Sequence, residues 1–162
     1  MKVGIIGCGL ICRKRAESLG DNTLVAVADS DISKAYTLAL DYTGVKVFSD
    51  YKELLKEEID IVVVSTPNNM LAKISLDAIN SGKHVLIEKP GAIHYTEFDP
   101  LISASNKNNV KVKIGYNLRY HRAINEAISM CNIEKIGEIM FIRAHYGHGG
   151  RLGYEKNGVQ IL

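Results

Sequence analysis

Two glycines, Gly7 and Gly9, follow a short apolar run, and an acid, Asp29, stands 20 residues beyond the second of them. Each residue type suits one task. Gly7 allows a tight turn, Gly9 lets backbone approach a phosphate with no Cβ in the way, and the free N–H groups of a helix starting there aim at an anion. Asp29 ends a second apolar run (LVAVA, 24–28) at the distance where a carboxylate accepts both hydroxyls of an adenosine ribose. The chemistry implied is the capture of a dinucleotide. The competing role for Asp29 is a solvated helix cap, and the glycines in phase with it favour the ribose. Cys12 takes the third fingerprint position, where glycine or alanine is usual, a cost of packing more than of chemistry. Cys8 and Cys12 lie four apart with no histidine or further cysteine near in sequence. A zinc site needs four ligands, so no metal is expected.

The elements that must position these groups follow from hydrophobic period and punctuation. A strand opens the stretch 2–12, a helix covers 11–19 and ends at Gly20, and a strand covers 24–28. A helix over 32–42, a short strand over 45–48 and a helix capped by Asp50 and running through Leu55 come next. The run 60–65 (DIVVVS) is apolar throughout after its first residue, as a parallel strand covered on both faces is, and proline at 67 stops it. A helix over about 70–80, a strand over 84–87, a helix capped by Thr96 and running to about 108, and a strand over 110–115 complete the alternation. This is the pattern of an α/β doubly wound parallel sheet. Ligands of such a sheet sit beyond the carboxyl ends of its strands, where Gly7, Asp29, Thr66 and Lys89 all fall. Past Gly115 a helix is expected over 123–131 and a strand over 138–146 (EIMFIRAHY). That strand has no visible partner, so it is expected to pair with a second copy, making a homo-oligomer, or to be disordered.

The totals narrow the classes. A chain of 162 residues buries one good core and leaves little for a second. No apolar run approaches the roughly 18 residues of a membrane span. Twenty basic against 18 acidic side chains, a net charge of +2, with no basic stripe interleaved with aromatics, argues against a nucleic-acid partner. The start enters a strand directly, leaving no room for a signal peptide, and three scattered cysteines fit a reducing compartment. A cytoplasmic location is expected.

The segments GCG with an arginine-containing helix, VAVAD, STPN, GKHVLIEKP and GYNLRYH, in that order, resemble the N-terminal part of the Gfo/Idh/MocA oxidoreductases. The resemblance implies a Rossmann domain over 1–120, with 121–162 as the start of a truncated substrate and oligomerisation domain. It further implies that Gly7, Gly9, Leu10 and Ile11 hold a pyrophosphate, that Asp29 and Ser30 hold the adenosine ribose, and that Thr66, Pro67 and Asn68 hold the centre of an NAD cofactor. Glu88 would lie near the nicotinamide. Lys89 is similar to the family's lysine that contacts the substrate hydroxyl and the nicotinamide ribose and assists proton transfer. Asn117 and Arg119 would line the cofactor and substrate cleft. The stretch YGHGGR at 146–151 suggests a sugar or nucleotide-sugar substrate.

Departures from the family pattern are Leu71, where histidine is frequent, Arg122, where proline is frequent, and the aspartate and histidine that the family supplies from beyond this length of chain. Two functions follow. The first is the cofactor domain of an NAD(P)-dependent sugar dehydrogenase that by itself binds cofactor with little turnover. The second is a non-catalytic NAD(P)-binding module, a sensor or assembly subunit, which would have no need of Lys89. Asp29 repels a 2′-phosphate and favours NAD; Ser30 could donate to that phosphate, which leaves NADP possible.

Overall fold

A computed structural model describes residues 1–132 and 136–145. The chain divides into two compact units, Met1–Asn117 and Leu118–Leu162.

The first unit alternates strands and helices without exception: β1 (Lys2–Ile6), α1 (Leu10–Glu17), β2 (Thr23–Ala28), α2 (Ile32–Ala39), β3 (Lys46–Phe48), α3 (Tyr51–Leu55), β4 (Ile61–Val64), α4 (Asn68–Asn80), β5 (His84–Ile87), α5 (Phe98–Asn108) and β6 (Val112–Ile114). All pairings are parallel, in the order β3-β2-β1-β4-β5-β6. Parallel neighbours need crossovers, and the helices that supply them cover both faces. One face carries the core of Ile6, Val62, Val64 and Ile87 against Leu54 of α3, Leu71 and Ile79 of α4 and Leu101 of α5. The other carries Val3, Ile5, Val27 and Val63 against Cys12 and Ala16 of α1 and Ala35 and Leu38 of α2. The reversal of strand order between β1 and β4 opens a crevice at their carboxyl ends.

The expected doubly wound sheet is present, with helix ends shifted by one to three residues. α4 starts at Asn68, because Pro67, at φ −54°, stands as its N-cap. Thr96 is not the cap of the fifth helix. Instead a short 3-10 turn, Tyr95–Glu97, leads into α5, and the Glu97 carboxylate accepts from the N–H groups of Ile93 (2.9 Å) and His94 (2.8 Å). One carboxylate there satisfies two free backbone donors, where a threonine hydroxyl serves one.

In the second unit α6 (Arg122–Asn132) forms as expected. The strand expected over 138–146 does not: residues 138–145 carry no strand, and Tyr146 lies outside the described residues. The physical reason is that no ladder partner is present among the described residues, since a single strand leaves its N–H and C=O groups unpaired. Met140, Phe141 and Ile142 are 80 to 90% exposed. The YGHGGR stretch also lies outside the described residues.

Candidate functional site

β1 delivers Gly7 to the crevice with φ +92°, a left-handed conformation that side chains resist. A Cβ there would meet the Ser65 carbonyl carbon at 2.6 Å and the Thr66 nitrogen at 2.8 Å. Gly7 is therefore required twice over, by its torsion and by the close approach of the β4 turn. Gly9 is the N-cap of α1, in extended backbone and without a side-chain cap, and a Cβ on it would meet nothing within 4 Å. The space beside Gly9 is open and no side chain caps the start of α1, which leaves the first-turn N–H groups without a side-chain cap, as an incoming phosphate needs.

Asp29 fastens the loop rather than capping a helix. Its Oδ2 accepts from the Cys8 N–H at 2.7 Å and its Oδ1 from the Asp31 N–H at 2.8 Å. Asp31 takes the capping role for α2, accepting from the Ser33 N–H at 3.2 Å. The Ser33 hydroxyl bond holds its carboxyl below the usual carboxylate range. Each Asp29 oxygen keeps a second lone pair for a hydroxyl donor.

A cleft of ≈ 650 Å³ runs along this edge. Gly7, Gly9, Asp29, Ser30, Thr66 and Pro67 line it, so six of the residues picked out from the sequence meet there. Thr66 adds a decisive detail: its Oγ1 is buried and has no hydrogen-bond partner among the described residues. Beside it the Ser65 hydroxyl is satisfied by the Gly7 carbonyl at 2.6 Å. A buried hydroxyl without a partner is costly unless a ligand completes it. The remaining walls were not anticipated. Ser49 and Asp50 come from the turn after β3, Tyr51 from the start of α3, Lys34 from α2, and Met70 and Ile74 form an apolar side on α4. The signal that could have found Ser49 and Asp50 is topological, because β3 ends on the same sheet edge as β2. Burial first, and the bond to Asp77 second, push Tyr51 up to about 12; its hydroxyl donates to Asp77 at 2.7 Å.

Other predicted residues lie outside the cleft wall. Leu10 and Ile11 open α1 with exposed side chains, and Asn68 opens α4. Glu88, at the end of β5, is buried and ion-paired with Arg15 of α1. Arg15 Nη2 also donates to Asn117 Oδ1 at 3.1 Å. Lys89, the next residue along, is exposed and makes no hydrogen bond or ion pair among the described residues. Arg119 belongs to the second unit, exposed in a 3-10 turn, Asn117–Tyr120, that bridges the division. Cys8 of the loop and Cys12 of α1 turn inward: the Cys12 thiol lies 2.8 Å from the Gly9 carbonyl and Cys8 3.6 Å from that of Ala28. Its hydrogen bond to Cys12, and then burial, push the Cys8 thiol up, which keeps it protonated and unreactive. At 2% exposure Cys12 fits the third fingerprint position as a small core side chain.

A glycine turn, an open helix start and an acid on the neighbouring strand are the parts of a dinucleotide site, and comparison with known proteins agrees. Residues 1–116 match the family model described as oxidoreductase family, NAD-binding Rossmann fold. The chain belongs to the Gfo/Idh/MocA oxidoreductases. Similar members of this family include glucose-6-phosphate 3-dehydrogenase from Bacillus subtilis, 31% identical over 158 residues that cover 96% of this chain and 45% of that protein. Inositol 2-dehydrogenase from Salmonella typhimurium is 28% identical over 155 residues, 90% of this chain and 46% of that one. Among solved structures, a mutant of the 3-ketoreductase KijD10 from Actinomadura kijaniata, in complex with TDP-benzene and NADP, superposes with a TM-score of 0.77 at 25% identity, over 86% of this chain and 46% of that chain. The chain thus spans less than half the length of these relatives. Among the described residues no helix is long and apolar enough to cross a membrane.

Proposed function

We propose that this chain is the cofactor-binding half of a dehydrogenase that moves a hydride between a secondary alcohol of a sugar or nucleotide sugar and NAD. The observation that carries the reading is the cleft that Gly7, Gly9, Asp29, Ser30 and Thr66 line together, with the Thr66 hydroxyl buried and without a partner among the described residues. These groups fit a dinucleotide: Gly9 and the start of α1 would take the pyrophosphate, Asp29 and Ser30 the ribose, and Thr66 with Pro67 and Asn68 the centre. A bound nicotinamide supplies the hydride acceptor or donor.

Lys89 is the residue placed to handle the proton. Its ammonium makes no hydrogen bond or ion pair among the described residues, and from the carboxyl edge of the sheet it would stabilise a developing alkoxide and hold or return a proton at the substrate hydroxyl oxygen. Asn117 is proposed as a further cofactor contact and Arg119 as a substrate contact. Asp29 favours NAD over NADP, because a carboxylate against a 2′-phosphate is repulsive. The family's further acid–base groups come from the portion of the relatives that this chain does not span, and such groups contribute about 10² to 10⁴ in rate. The chain alone therefore binds cofactor with little turnover. Self-association through residues 138–146 and a cytoplasmic location belong to the same proposal, the first supported by the exposed Met140, Phe141 and Ile142 side chains.

With no tryptophan in the sequence, NADH fluorescence reports binding directly. Saturable NADH binding with no measurable oxidation of inositol or glucose 6-phosphate is expected. Absence of binding contradicts the reading, and brisk turnover contradicts its claim of a half-complete site. In a full-length form, Lys89→Ala should abolish most hydride transfer. Unchanged transfer there would favour a non-catalytic binding module.

A further inference from the structure

Glu88 was expected near the nicotinamide and Asn117 along the cofactor and substrate cleft, and both are engaged by one side chain of the arginine-containing helix α1. Arg15 Nε donates to Glu88 Oε1, and Arg15 Nη2 donates to Asn117 Oδ1 at 3.1 Å. The side chains of Arg15 and Glu88 are 21% and 10% exposed. Gly115 makes room for this head group: a Cβ on it would stand 3.0 Å from Arg15 Nη2 and 3.5 Å from both Glu88 carboxylate oxygens. The cluster thus clamps the second half of α1 to the carboxyl ends of β5 and β6.

Its place follows from the strand order. Across the carboxyl edge, Gly7 bonds to Ala28, Ser65 to Ile6, Glu88 to Val64 and Gly115 to Ile87. The edge therefore runs from Asp29 through Gly7 and Ser65 to Glu88 and Gly115. A dinucleotide with its adenosine at Asp29 and its pyrophosphate at Gly9 extends its other half along this line. Resting on the function proposed above, we infer that Arg15 is the positioning residue for the nicotinamide half. It pairs with Glu88 and fixes the rotamers of Glu88 and Asn117 with one planar fork.

The test compares two ligands in this chain, NADH and ADP-ribose, which lacks the nicotinamide. Arg15→Met should weaken NADH by about 10-fold or more, the weight of charge-assisted hydrogen bonds, while ADP-ribose changes by less than about 3-fold; Arg15→Lys should recover part of the loss. An equal loss on both ligands makes Arg15 merely structural and overturns the inference, as does an unchanged NADH affinity. Circular dichroism checks the fold. If Arg15→Met unfolds, the double variant Arg15→Met/Glu88→Gln, which buries no unpaired charge, is put to the same two ligands with the same expectation. If the wild type binds neither ligand, the proposed function fails and this inference with it. Binding of both with no ligand-selective effect overturns this inference alone.

Discussion

The two ends of the carboxyl edge are built on opposite plans. Over β1 and β4 the polar groups are left open: nothing lies within 4 Å of a Cβ placed on Gly9, no side chain caps α1, and the Thr66 hydroxyl is buried without a partner among the described residues. Over β5 and β6 they are closed on one another, with Arg15, Glu88 and Asn117 satisfying themselves. An open group is a cost to the empty protein that a ligand offsets. A closed cluster costs little when empty and holds shape when the ligand arrives. On the function proposed above the first end binds and the second positions, and substitutions at Thr66 and at Glu88 should separate affinity from stability.

The largest effect is expected at Gly7, where the open end still depends on fold. Gly7→Ala forces a Cβ into the Ser65–Thr66 backbone at a left-handed torsion and should cost about 3 kcal/mol or more in urea unfolding, with loss of NADH binding. Next is the closed end. Glu88→Ala strands the Arg15 guanidinium and should destabilise by about 2 to 3 kcal/mol, below the range for a fully buried pair because Arg15 retains some solvent contact; stability equal to wild type would show that the ion pair is not part of the frame. Substitutions at the open end should do the reverse. Thr66→Val is expected to leave stability within about 0.5 kcal/mol or raise it, while weakening NADH by about 3- to 10-fold. A matching fall in stability would mean that the hydroxyl has an internal role.

The smallest effect concerns the cleft wall. The folded state holds the Tyr51 proton more tightly than the ordinary value of 10.0, at about 12. Its contribution is fully present below pH 10, and stability should fall as the pH rises from there through 12. Tyr51→Phe should flatten that part of the urea midpoint against pH; an identical slope in the variant would assign it to other groups.

What was legible in the sequence was local. The apolar run of β4 and the turn glycines state their own conformations, and Asp29 sits where a strand tip must be once β2 is identified. What was hidden depends on contacts between distant segments. Arg15 and Glu88 are 73 residues apart, and nothing in either segment names the other. The wall of Ser49, Asp50 and Lys34 appears only when the strand order is known. The segment 138–145 shows the converse failure. Its composition is that of a strand, but a strand requires a neighbour, and none is present among the described residues.

The central claim is that the open end receives the pyrophosphate and the closed end does not. Backbone amide chemical shifts of the isotope-labelled chain, followed through an NADH titration, test it residue by residue. The account predicts the largest changes at Gly9, Leu10 and Ile11, with Asp29 and Thr66 next and smaller ones at Glu88 and Asn117. Changes concentrated at Glu88 and Asn117 with the glycine loop unmoved, or no saturable change anywhere, would contradict it.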